Sequence, residues 1–79
     1  MPGENIVDRI VDLMGAYIGP HMAKASVEVH AKNLSLDLEQ LSQTDLEALA
    51  ERIAQGLRVM VGKDKSHRVQ RAISQLSLT

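Results

Sequence analysis

The sequence predicts an all-α fold, a small bundle of three long helices and a shorter fourth. Three observations carry this reading. Apolar residues recur at spacings of three and four along nearly the whole chain. The breaks between these stretches fall at glycine, proline or cap-forming residues. The chain has no Trp, Phe or Cys, and Tyr17 is its only aromatic residue. The core is therefore expected to be aliphatic, built from Leu, Ile, Val, Met and small residues.

In the first helix, Ile6, Val7, Ile10, Val11, Leu13, Met14, Tyr17 and Ile18 form one wide apolar face, with Asp8, Arg9 and Asp12 on the other. Gly19-Pro20 ends it, because glycine tolerates the left-handed position after a helix and proline suits the first turn of the next. The second helix is expected over 20–33. Its faces carry mostly small residues (Ala23, Ala25, Ser26, Ala31), so a neighbour can approach closely. Lys24, Glu28 and Lys32 make a solvated stripe. The run from Leu34 to Leu41 alternates like a strand but has no strand to pair with. It is read as a connector that pins leucines onto the core. Ser42-Gln43-Thr44-Asp45 then reads as a capping signal, opening a third helix over 43–61 whose inward face is Leu46, Leu49, Ala50, Ile53, Ala54, Leu57, Met60 and Val61. Gly62 closes it. Asp64 or Ser66 is expected to cap the last helix, with Val69, Ala72, Ile73 and Leu76 facing inward.

The 79 residues read as one helical domain. No internal repeat is visible. No stretch reaches the ~18–20 apolar residues of a membrane span, and Met1-Pro2-Gly3-Glu4 lacks the basic start of a secretory signal. A cytoplasmic location is expected. Without cysteine, disulfides, thiolate metal sites and cysteine nucleophiles are excluded. Below ~80 residues a single core rarely supplies more than ~3–5 kcal/mol. Val7, Leu13, Leu36, Val59 and Leu78 exceed one seam, which points to self-association.

Little in the chain suggests catalysis. His21 and His30 are nine apart and fall on opposite sides of one helix, and His67 is remote in sequence, so no metal set is expected. No nucleophile elbow surrounds any serine. Gly62-Lys63-Asp64-Lys65-Ser66 fails the phosphate-loop pattern, because Gly56 stands one residue too early and Asp64 replaces the hydroxyl. No cofactor and no small-molecule substrate are expected. Charge is more telling. The net charge is −1, yet residues 1–55 carry nine acids and four bases, a net of −5, and residues 56–79 carry five bases and one acid, a net of +4. Lys63, Lys65, His67, Arg68 and Arg71 are therefore candidate contacts for an anion or an acidic partner. Tyr17 is expected mainly as a core tyrosine, and secondarily as an interface anchor.

The run from Leu13 to Ala23, through Tyr17-Ile18-Gly19-Pro20, followed by Val27 and Ala31 and then by Leu46, Leu49, Ala50 and Ile53, resembles a small helical module. That module stands at the C-terminal ends of some bacterial signalling proteins, serine/threonine kinases among them. The resemblance covers residues 10–57. Here His21-Met22 separates the proline from Ala23, the 36–41 connector is richer in leucine, and the last helix has no counterpart. The resemblance implies a bacterial regulatory or assembly module without catalytic residues. No functional residue carries over.

The expected function is that of a bacterial cytoplasmic protein-interaction or oligomerisation module, a homodimer or higher, with Val7, Ile10, Met14, Tyr17 and Ile18 as the candidate interface. The alternative is a nucleic-acid-binding helical protein that uses the basic turn and last helix. Its support is modest, because total positive charge is low and no aromatic residues interleave with the basic ones.

Overall fold

The computed structural model describes residues 6–76. They form four helices, α1 (Ile6–Ile18), α2 (Pro20–Asn33), α3 (Gln43–Val61) and α4 (Lys63–Ser74). No strand occurs among them. None of these helices is long and apolar enough to cross a membrane. The expected bounds of the second and third helices agree with those observed.

The helices pack as two hairpins. α1 lies mainly against α2 and α3 mainly against α4, while α2 also meets α3 and α1 meets α4. Each hairpin turns on a single glycine. Gly19 has φ 84 and ψ 157, and Gly62 has φ 89 and ψ 169, a region of backbone space that is essentially glycine-only. Each glycine belongs to both of its helices. The Gly19 N–H donates to the Gly15 carbonyl at 2.9 Å and the Gly19 carbonyl accepts from Ala23 at 3.0 Å. The Gly62 N–H donates to Arg58 and its carbonyl accepts from Ser66, both at 3.1 Å. The left-handed cap expected after the first helix is thus replaced by a positive φ with extended ψ, which reverses the chain in one residue.

The two glycine turns are built alike, and a few buried positions correspond around them. Aligning Gly19 with Gly62 pairs Asp8-Arg9-Ile10 with Glu51-Arg52-Ile53, Met14 with Leu57, and Ala23 with Ser66. Ile10, Ile53, Met14, Leu57, Ala23 and Ser66 are all buried. The buried residue in the first turn after each glycine is small, so the two arms of the hairpin can close together.

Ser66 and Asp64 do not cap the last helix. α4 starts at Lys63, with Gly62 as N-cap and no side-chain cap bond. Ser66 lies within the first turn, and its buried hydroxyl donates to the Lys63 carbonyl at 2.9 Å. The cap of α3 is as expected. Asp45 N–H donates to Ser42 Oγ at 3.1 Å and Ser42 N–H donates to Asp45 Oδ2 at 3.2 Å, which satisfies two otherwise orphaned donors.

The connector leaves α2 through Ser35, the one non-glycine residue among those described with positive φ, at 57. Ser35 N–H donates to Lys32 and Leu36 N–H donates to Ala31, the bond pair of a left-handed helix ending. Asp37 then forms a turn, accepting from Glu39 N–H through Oδ1 and from Gln40 N–H through its carbonyl. Leu36, Leu38 and Leu41 pack against the core, as expected.

The core is aliphatic throughout, centred on Ile10, Met14, Val27, Leu46, Leu49, Ile53, Leu57, Val69 and Ile73. The Cα radius of gyration is 11.5 Å, against about 11–12 Å for a close-packed chain of this length. The single chain therefore supplies its own cover.

Candidate functional site

The expected helix-1 interface is mostly occupied within the fold. Ile10 and Met14 are completely enclosed in the core, and Val7 and Ile18 pack on its edge. Their apolar stripe finds its cover in the same chain, because the small inward residues of α2 (Ala23, Val27, Ala31) let α1 close on it. Tyr17 departs from the core reading. It is 40% exposed, one residue before the end of α1. Leu36 and Leu13, noted as surplus apolar residues, also pack against the core, whereas Leu78 lies outside the described residues.

The large apolar side chains that remain exposed are Tyr17, Met22, Val29, Val59 and Met60. Val59 stands out at 91% exposure, with Met60 beside it at 54%. Both lie in the last turn of α3. Exposed apolar residues scattered singly need no explanation. Two consecutive ones next to a charged cleft are more informative.

That cleft is a groove of about 620 Å³ between α3 and α4. Glu51, Gln55 and Arg58 line it from α3. From α4 come Lys63, Asp64, His67, Arg68, Gln70 and Arg71. Lys63, His67 and Arg71 are spaced i, i+4, i+8, so they follow one another along one face of α4. Gln43 Nε2 donates to the Ser74 carbonyl at 3.1 Å and ties the start of α3 to the end of α4. Four of the five expected basic contacts (Lys63, His67, Arg68, Arg71) thus converge on one groove. Lys65 is exposed but does not line it. Arg58, from the preceding helix, joins them. It was not in the expected set because α3 and α4 meet only through the fold. Val59 and Met60 stand in the chain between Arg58 and Lys63 but do not line the groove.

A second feature escaped sequence reasoning. His30 on α2 packs over Gly56 on α3, where an added Cβ would come within 3.3 Å of the imidazole Nε2. His30 Nδ1 is buried and has no hydrogen-bond partner among the described residues. Burial, and secondarily the positive charge of Arg52, hold the His30 pKa below its ordinary value. The available signal was an isolated glycine inside a helical pattern, which costs about 1 kcal/mol relative to alanine and implies a close approach. No group of three or more His, Asp or Glu residues suited to a metal ion occurs among the described residues.

The chain matches no protein-family model, and no curated protein and no solved structure matches it either.

Proposed function

We propose that the chain is a protein-interaction module that works by self-association, an oligomerisation or adaptor domain without catalysis. One observation carries this reading. The helices already bury an aliphatic core within one chain, yet the consecutive residues Val59 and Met60, in the last turn of α3, are left exposed. Covering apolar surface is worth about 25 cal/mol per Å², and flanking charge orients the approach of a partner. Sedimentation velocity tests it. The wild-type chain should show a sedimentation coefficient that rises from low micromolar to submillimolar concentration. A double variant, Val59→Glu with Met60→Glu, should stay monomeric with unchanged helical circular dichroism. A wild-type chain that remains monomeric throughout would overturn the reading.

The row of Lys63, Arg68 and Arg71 with Arg58 supports nucleic-acid binding as a second reading. Glu51 and Asp64 in the same groove oppose it, since they would repel phosphates. This reading predicts a mobility shift at low salt that weakens steeply as salt rises. Lys65→Glu with Arg68→Glu should abolish that shift, and no shift at all would end the idea.

A further inference from the structure

We propose that the α3–α4 groove receives the acidic surface of a second copy of this chain, so that copies join head to tail. The inference rests on the self-association reading and adds polarity to it.

Three observations support this occupant. First, charge is segregated along the chain, at −5 over residues 1–55 and +4 over residues 56–79. The fold keeps both sets outside. Asp12 on α1, Glu28 on α2, Glu39 on the connector and Glu47 on α3 are all exposed, as are Arg58, Lys63, Arg68 and Arg71. Second, those four cations outnumber the two acids of the groove, Glu51 and Asp64. Among the described residues, none of these four side chains makes a hydrogen bond or an ion pair. Third, α4 begins without a side-chain cap. Its first-turn N–H groups add partial positive charge at the Lys63 end, partly offset by the carbonyl end of α3 across Gly62. A polyanionic surface suits such a groove, and the rest of this same chain offers one. Val59 and Met60, which follow Arg58 in the chain and are exposed, add apolar contact once charge has aligned the copies.

The basic groove lies between α3 and α4, and the exposed acids Asp12, Glu28 and Glu39 lie outside it on α1, α2 and the connector. A contact between them is heterologous, so it leaves a free groove at one end and a free acidic surface at the other. Association should then continue past the dimer. A two-fold apolar dimer would stop.

Sedimentation equilibrium with two charge-reversed variants tests this. Arg68→Glu with Arg71→Glu reverses the groove. Glu28→Lys with Glu39→Lys reverses two of the acids outside the groove. All four positions are exposed, and circular dichroism verifies that each variant folds. At low salt the wild-type mass should exceed that of a dimer as concentration rises. At molar salt, where the screening length falls to about 3 Å, it should drop. Each variant alone should associate at least about tenfold more weakly. An equimolar mixture should regain a complex, because each variant supplies the surface that the other lacks. Association that is insensitive to salt and to both variants would overturn the groove's role and leave the apolar reading standing. Two variants that fail to complement each other would also overturn it. A wild-type chain that is monomeric even at low salt would overturn both readings.

Discussion

Ser35 and His30 show what single residues contribute to this fold. Ser35 holds φ 57 to close α2 and turn the chain into the connector. A non-glycine residue in that region gives up ~1–2 kcal/mol relative to glycine, partly offset by the greater freedom of glycine in the unfolded chain. Ser35→Gly should therefore stabilise the protein by roughly 0.5–1 kcal/mol and raise Tm by a few degrees in a thermal melt. An unchanged or lowered Tm would contradict this. His30 sets a pH dependence. Its folded pKa lies below the ordinary imidazole value of 6.5, so the unfolded chain takes up the proton first as pH falls. Below 6.5 the unfolded state binds more protons and stability drops, until the folded imidazole also titrates. The stability difference between the wild-type chain and His30→Gln, measured by urea melts, should shift against the wild-type between about pH 7 and pH 5. A constant difference would contradict the account. Arg52→Gln should reduce the shift only in part, since burial is the larger cause. Neither residue was legible in the chain. The serine carries no marker of its backbone angle, and the meaning of Gly56 depends on which ring lies over it.

At the scale of elements, most of the fold was legible. The helical period, the Gly-Pro break and the Ser42–Asp45 capping signal placed α2 and α3 at their observed bounds, because these signals act within one or two turns. The start of α4 was misplaced for a physical reason. Sequence reasoning looked for a side-chain cap, whereas Gly62 serves with its backbone alone. The same device at Gly19 makes the two hairpins alike. Gly19→Ala and Gly62→Ala should each cost about 1–3 kcal/mol, the strain of a Cβ in this conformation. Gly15→Ala should cost far less, as its added Cβ would meet only ordinary contacts at 3.7 Å. Denaturant melts of the three variants check this, and equal midpoints for all three would contradict it.

For the whole molecule, the all-α bundle and its aliphatic core were legible, and which apolar residues stay exposed was not. Periodicity shows which residues form an apolar stripe. It does not show whether the stripe finds its cover within the same chain. Here Ile10 and Met14 are enclosed within the chain's own core, and the exposed apolar pair is Val59 and Met60 at the end of α3. Charge segregation was visible in the sequence, but the convergence of Arg58 with the α4 cations needed the hairpin. The central proposal is that copies meet through this groove, with the exposed Val59 and Met60 adding apolar contact. Amide chemical shifts followed by NMR over a dilution series test it most directly. The account predicts that concentration-dependent shifts cluster at residues 58–71 and on the exposed acidic positions outside the groove, including Glu28 and Glu39. Shifts confined to α2, or a spectrum that does not change with concentration, would contradict it.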